Sequence, residues 1–341
     1  MRAIVYRETG GPDVLTLVEK PEPEPGPGEV LVRVAVSGVN PTDWKARDGD
    51  GPGQALRFPE IVPNQDGSGT IEAVGADVGP GRVGERVWLW EAARHRPDGT
   101  AQELVAIPSR QAVRLPDSAS FDLGASVPIP AMTAHRCLTV GVDAPEKLGP
   151  GALADLTVLV AGGAGAVGHA AIELANWCGA TVIATVSGSE KAGLATAAGA
   201  QHAVNYREPG ADRAIREAAP DGVDLIVEVD PVANAALDRA VIADNGTIAS
   251  YAGGTDGLMI EVGDAMQVNT RYQFVLVYTM PSEAKDRAIA DITEALVAGV
   301  LRIGEEAGLP IHRFPLERTA DAHAAVERNA VGKVLIDLTP S

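Results

Sequence analysis

Three glycines, Gly162, Gly165 and Gly168, stand three residues apart directly after the apolar run Val158-Leu159-Val160-Ala161. The run has the composition of a buried strand, and the residues that follow the glycines, from about Ala166 to Cys178, read as a helix. A second apolar run occupies 181–186. Strand, glycine turn, helix and strand in that order form a βαβ unit, which requires a parallel sheet with helices packed on its faces. The turn also carries chemistry. Gly162 permits the tight bend, Gly165 lets backbone approach a pyrophosphate, and Gly168 lets helix and strand pack closely. Gly163 and Ala164 within the turn, with Ala166 and Val167 at the helix start, bring backbone N–H groups to an anion. Residues 162–168 are therefore expected to bind a dinucleotide. A glycine turn without a ligand is the competing reading, and the strand before and helix after weigh against it.

The residue about 20 positions past such a turn discriminates between the nicotinamide cofactors, because NAD sites place Asp or Glu there for the ribose hydroxyls. Here the second strand leads into Ser187-Gly188-Ser189-Glu190-Lys191. Ser187 holds the acidic residue's place, and its hydroxyl donates to a 2′-phosphate that a carboxylate would repel. Lys191, one turn onward, supplies positive charge. Ser189 lies between them, and Tyr206, at the end of the next short strand, offers a phenol to the same phosphate. These residues favour NADPH, against the alternative that Lys191 is an ordinary solvated helix residue.

Alternating helix and strand patterns continue from 191 to 251, the rhythm of a doubly wound α/β sheet. Before residue 130 the rhythm differs. Short strands are expected at 30–36, 68–74, 86–90 and 101–107, separated by Gly, Pro and Asp, as in a barrel-like β domain. After residue 273 the pattern is mixed and closes on a strand at 333–338. The expected organisation is thus a β-rich domain made of 1–130 and 273–341, interrupted by a nucleotide-binding domain at 131–272. The 341 residues carry a net charge of −18, which repels phosphate backbones and anionic lipid and argues against nucleic-acid and membrane partners. Charges at Arg2, Arg7 and Glu8 occupy the place of a signal peptide's apolar centre, and no run approaches membrane-span length, so a cytoplasmic chain is expected. The two cysteines, Cys137 and Cys178, cannot form a four-cysteine zinc lobe.

Several segments together resemble the medium-chain dehydrogenase/reductase superfamily. They are Gly38-Val39-Asn40-Pro41-Thr42-Asp43-Trp44-Lys45, Pro63-Asn64-Gln65-Asp66-Gly67-Ser68-Gly69, Gly84-Glu85-Arg86-Val87, Ala131-Met132-Thr133-Ala134, the glycine turn, and Gly332-Lys333-Val334. The resemblance covers nearly the whole chain and implies a GroES-like β domain with an inserted Rossmann domain. The alcohol dehydrogenases of that superfamily place a zinc-binding Cys where this chain has Asn40 and a His-Glu pair where it has Gln65-Asp66. Asn and Gln are poor zinc ligands. The chain is more similar to the zinc-free quinone oxidoreductases and enone reductases, which implies transfer of hydride from NADPH to a quinone or an α,β-unsaturated carbonyl.

Such an acceptor spreads the added charge over several atoms and needs no Lewis acid. Lys45 is then expected to stabilise the oxyanion, oriented by Asp43, while water protonates carbon. The resemblance further implies that Asn40 and Thr133 line the nicotinamide end, and that Gly253, Phe274, Val275 and Lys333 contact the cofactor. The segment 274–277 would also form the edge of a homodimer, although its residues alone read as an ordinary buried strand. Two other readings stay open: a nucleotide-binding member without turnover, and a reductase dedicated to a secondary-metabolite intermediate. The residue types at 40 and 65 lead to a direct expectation. Metal analysis of the purified protein should find no stoichiometric zinc, and activity should survive chelator; one zinc per chain with loss of turnover on chelation would contradict it.

Overall fold

The structure, a computed structural model, describes residues 1–49, 55–141, 144–254 and 256–338. Residues 50–54, part of the 48–58 stretch adjoining the resemblance segments, lie outside the described residues. The chain divides into two units, one formed by Met1–Ile129 with Pro310–Ser341 and the other by Pro130–Leu309.

In the first unit, β1 (Arg2–Val5) and β2 (Thr16–Glu19) pair antiparallel. The spine is β3 (Glu29–Val39), whose Val30, Val32 and Val34 are buried while Arg33 is exposed. That alternation seats one strand face on a core. Asn40 ends the strand, and Pro41, with no N–H to satisfy, opens helix α1 (Pro41–Asp48). No apolar period announces this helix, since Trp44 is its one large apolar residue. The sheet continues through β4 (Asp66–Val74) and β5 (Arg86–Leu89); β6 (Leu104–Pro108) pairs with β3, and β7 (Ala112–Arg114) pairs with β5. Helix α2 (Phe121–Ser126) follows, capped by the Ser120 side chain, and α3 (Pro128–Leu138) leads into the second unit.

The second unit alternates as expected: β8 (Thr157–Ala161), α4 (Ala166–Trp177), β9 (Thr181–Val186), α5 (Ser189–Ala198), β10 (His202–Asn205), α6 (Ala211–Ala218), β11 (Val223–Glu228), α7 (Ala235–Val241) and β12 (Ile242–Ser250). Helix α8 (Val262–Gln267), β13 (Arg271–Phe274) and α9 (Ser282–Val297) come next. Among the described residues the strands form a parallel sheet in the order β10-β9-β8-β11-β12-β13. This is the doubly wound order whose reversal beside the first strand opens a crevice at the strands' carboxyl ends. Leu159, Ile183, Ile226 and Ile248 fill its core.

The sequence places the return to the β-rich unit at 273. The structure places it at Pro310. The reason is that β13 adds in register to β12, with Thr247 opposite Arg271 and Ser250 opposite Phe274, and α9 buries Ile292 and Leu296 within the same unit. Residues 274–277 are also not an ordinary buried strand. Phe274 is 63% and Leu276 53% exposed, because β13 is the edge of the sheet.

The returning chain supplies β14 (Ile311–Pro315), α10 (Thr319–Glu327) and β15 (Lys333–Asp337). They complete a sheet of order β14-β15-β3-β4-β5-β7. β15 runs antiparallel to β3 with Val334 opposite Val39, so the register carries Lys333 to Asn40. Gly332 makes that approach possible: its φ is 107°, and a Cβ there would lie 2.1 Å from the Pro310 carbonyl oxygen. Among the described residues, no helix is long and apolar enough to cross a membrane.

Candidate active site

Each unit contributes a separate set of polar groups. In the nucleotide unit, β8 ends in Gly162, whose φ of 68° is open to glycine and strained for most other residues. A Cβ on Gly168 would lie 2.4 Å from the Gly162 carbonyl oxygen, so helix α4 starts closer to its strand than any side chain permits. Gly165 is the N-cap of α4, and its carbonyl accepts the His169 N–H at 2.7 Å. The N–H groups of Ala166, Val167 and Gly168 precede that first helical bond and have no partner within the helix. The cradle fits a pyrophosphate.

Ser187 follows β9, and Ser189 opens α5 with Lys191 in its first turn. Tyr206 follows β10, and its N–H donates to the Val186 carbonyl at 3.1 Å, which brings it beside Ser187. Glu190, the acidic residue nearest the ribose position, is exposed. Arg207 adds a cation that the sequence reading passed over, its guanidinium 6.0 Å from the Tyr206 ring. Val275 is buried and its N–H donates to the Ser250 carbonyl at 2.7 Å, holding Phe274 next to the end of β12 and the turn at Gly253. Thr133 is buried on α3.

At the carboxyl end of β11 lies a carboxyl pair that no motif announced. Glu228 and Asp238 are buried beside each other, and burial raises both carboxyls above the usual range. Glu228 Oε1 also accepts from Asn234 Nδ2 at 2.9 Å and from the Asp230 N–H, fixing the loop after β11. Burial and the Glu228 charge push Asp238 up to about 9.

The first unit holds a denser cluster. Asn40 Nδ2 donates to Asp66 Oδ2 at 2.7 Å, and Asn40 Oδ1 accepts from Lys333 Nζ at 2.6 Å. Lys333 Nζ is 3.7 Å from Asp66 Oδ2. Asp66 also accepts the Ile129 N–H at 3.1 Å. Asp43 accepts the Asn40 N–H on Oδ2 at 2.7 Å and the Gln65 N–H on Oδ1 at 3.1 Å. Burial, reinforced by Asp66, pushes Asp43 up to about 8; burial raises Asp66 to about 6 against the pull of Lys333, and burial lowers Lys333. Gln65 extends the cluster, its Oε1 accepting the Ala93 N–H at 3.1 Å.

Asn64, at φ 78°, is held from both sides: His323 Nε2 donates to its Oδ1 at 2.8 Å, and its Nδ2 donates to Ser37 Oγ at 2.9 Å. Burial, with Arg47 nearby, pushes His323 down to about 3, so the ring is neutral and carries its proton on Nε2.

Matches to known proteins cover the same two regions. Residues 26–117 match the family described as alcohol dehydrogenase GroES-like domain, and residues 166–294 match the one described as zinc-binding dehydrogenase. An alcohol dehydrogenase of Geobacillus stearothermophilus is 32% identical over 263 residues, 70% of this chain and 73% of that protein. The quinone oxidoreductase of Lama guanicoe is 29% identical over 98% of this chain and 97% of its own. A mycobacterial protein solved in complex with NADPH is 29% identical with a TM-score of 0.80, covering 99% of this chain and all of its own. The chain belongs to the medium-chain dehydrogenase/reductase superfamily, in its zinc-free quinone oxidoreductase branch. Among the described residues no three His, Cys, Asp or Glu side chains gather as a metal-binding group.

Lys333, expected at the cofactor, has its ammonium buried and bound to Asn40. A lysine inside the apolar run 333–338 was itself the signal, since a buried ammonium demands partners. Asp43 does not orient Lys45. The two are two residues apart on α1 and face different ways; Asp43 turns inward to backbone N–H groups, while Lys45 is exposed with Nζ 5.8 Å from the Trp44 ring.

The Glu228–Asp238 pair gives stability a pH dependence of definite sign. Between an ordinary carboxylate pKa and about 9, the unfolded Asp238 is ionised while the native one keeps its proton. The native state then binds more protons, so raising pH favours unfolding. Denaturant titrations from pH 7 to 10 should register falling stability. Asp238→Asn, which has no proton to lose in this range, should flatten that fall; an unchanged slope would remove Asp238 as its source.

Proposed function

We propose that this protein reduces quinones and α,β-unsaturated carbonyls with NADPH and without a metal. The observation that carries the proposal is the closed hydrogen bonding of Asn40. Where zinc-dependent relatives hold their metal, this chain has a carboxamide whose oxygen is taken by Lys333 and whose nitrogen is taken by Asp66. The full-length similarity to quinone oxidoreductases supports the acceptor class.

The glycine cradle holds the pyrophosphate through the N–H groups at the start of α4. Ser187, Lys191 and Tyr206, with Arg207 beside them, form the 2′-phosphate site that selects NADPH. The bound cofactor supplies a hydride to the electron-poor carbon of an enone or to a quinone. Lys45, exposed on α1, stabilises the negative charge that develops on the acceptor oxygen, and water delivers the proton that completes the hydroquinone or saturated carbonyl. The exposed Phe274 and Leu276 on the edge strand β13 support a homodimer. The charge of −18 supports a protein that binds neither nucleic acid nor anionic membrane.

Turnover is tested by NADPH oxidation with 1,4-naphthoquinone and with a simple enone; no oxidation of NADPH by either overturns the proposal. A charge-assisted phosphate contact contributes roughly 1.5–3 kcal/mol, so Lys191→Ala should weaken NADPH binding about tenfold or more and leave NADH binding nearly unchanged. Equal losses for both cofactors would make Lys191 structural. Lys45→Met should lower kcat and kcat/KM together by about 10²-fold with NADPH affinity retained. Enones should suffer more than quinones, which already delocalise the added electrons. An unaltered kcat on both substrates would return Lys45 to the solvated surface.

A further inference from the structure

Stability does not explain Lys333. A buried ion pair is a weak stabiliser, because desolvation of the two charges consumes most of their attraction, and well-packed apolar side chains in their place are often neutral or better. Yet Lys333, Asp66 and Asp43 are each 3% exposed or less, in a unit whose largest apolar cluster is Val, Ile, Leu and Ala. The chain also keeps Gly332 in a conformation that brings this one ammonium to this one amide.

The geometry says what the ammonium does. A free asparagine amide has two orientations that differ by exchange of oxygen and nitrogen. Lys333 carries only donors and Asp66, when ionised, only acceptors, so together they admit one orientation of Asn40. Asn40 is the N-cap of α1, and its side chain also reaches across the unit to β15 and β4. Asp43 holds the first turn of α1 by tying the Asn40 N–H to the Gln65 N–H. Lys45 lies on that turn's continuation.

We propose that Lys333 is a positioning residue for acceptor reduction: its ammonium, seated between Asn40 and Asp66, locks the start of α1 so that Lys45 meets the acceptor oxygen in one geometry. This rests on the reading of Lys45 given above. In this role Lys333 acts through Asn40 and the start of α1. Its removal frees the Asn40 amide and leaves Asp66 without its cation, and displacements on the scale of 1 Å at a reacting group cost about 10²-fold in rate.

The test uses the full chain. Lys333→Met alone leaves Asp66 buried and unpaired and is open to misfolding, so the decisive variant is the charge-balanced Lys333→Met/Asp66→Asn. Its new amide oxygen still accepts from Asn40 and Ile129. Thermal melting, NADPH dissociation constants from cofactor fluorescence, and steady-state rates with 1,4-naphthoquinone and an enone are measured for this variant, for Lys45→Met and for the three changes combined. The double variant is expected to melt within a few degrees of wild type and to bind NADPH within about twofold, while kcat falls roughly 10- to 100-fold. The triple variant is expected to be little slower than Lys45→Met, because interactions that act through one residue are not additive.

A double variant with wild-type kcat, when Lys45→Met is slow, overturns the proposal alone. Lys45→Met with wild-type kcat overturns the reading of Lys45 and this proposal with it. A loss of NADPH affinity that matches the loss of rate would return Lys333 to the cofactor and also overturn the proposal, as would full additivity in the triple variant.

Discussion

A primary ammonium enclosed at the start of β15 sets conditions that the surrounding residues have to meet. It needs acceptors and a compensating charge, and the first unit brings both from distant segments: the Asn40 carboxamide at the end of β3 and the Asp66 carboxylate at the start of β4. Asp66 in turn engages Ile129 where the chain leaves the unit, and Asp43 joins α1 to the turn before β4. Gln65 hands the constraint on to residue 93. Low dielectric makes each of these contacts strong when complete and costly when one member is missing. The consequence is a site built from side chains whose orientations are mutually determined.

The nucleotide unit solves its recognition problem by the opposite means. Its glycine cradle is made of backbone, and the side chains that matter there are the ones that are absent. Gly162 and Gly168 remove Cβ atoms that would otherwise strike main chain, and the N–H groups of the first turn of α4 are left free by helix geometry alone. Side chains enter at the rim, where Ser187, Lys191, Tyr206 and Arg207 gather after β9 and β10. Glu228 fixes the adjoining loop by accepting from the Asp230 N–H and the Asn234 carboxamide.

These two styles explain what the sequence disclosed. A backbone site leaves a periodic signature, since its glycines must follow a strand and precede a helix, and the turn at 162–168 was legible with its flanking elements. The parallel sheet was legible for the same reason, through apolar runs such as 158–161 and 181–186. A side-chain cluster leaves no period. Asn40, Asp43, Asp66 and Lys333 could be noticed one at a time, but their union depends on the pairing of β15 with β3, which no local pattern encodes. Helix α1 was invisible because it presents hardly any apolar face, and the end of the nucleotide unit was misjudged because β13 reads as a short strand of either unit. Asp43 was read as the partner of Lys45, since an acidic residue two positions away on a helix is near in sequence and not in direction.

The pairing of β15 with β3 also dictates an order of assembly. Asn40 and Lys333 are separated by 293 positions, and the whole nucleotide unit is translated between them. The nucleotide unit draws its sheet from contiguous chain and is able to form during synthesis. The first unit, though begun earlier, waits with the last four residues of β3, Val36 to Val39, unpaired on one side and Asn40 without its cation until the ribosome has delivered β15. Contacts this distant in sequence are slow to form and leave a strand edge exposed meanwhile. A segment made before the nucleotide unit is thus among the last to become native, and chaperone demand should centre on β3 and α1 rather than on the nucleotide sheet.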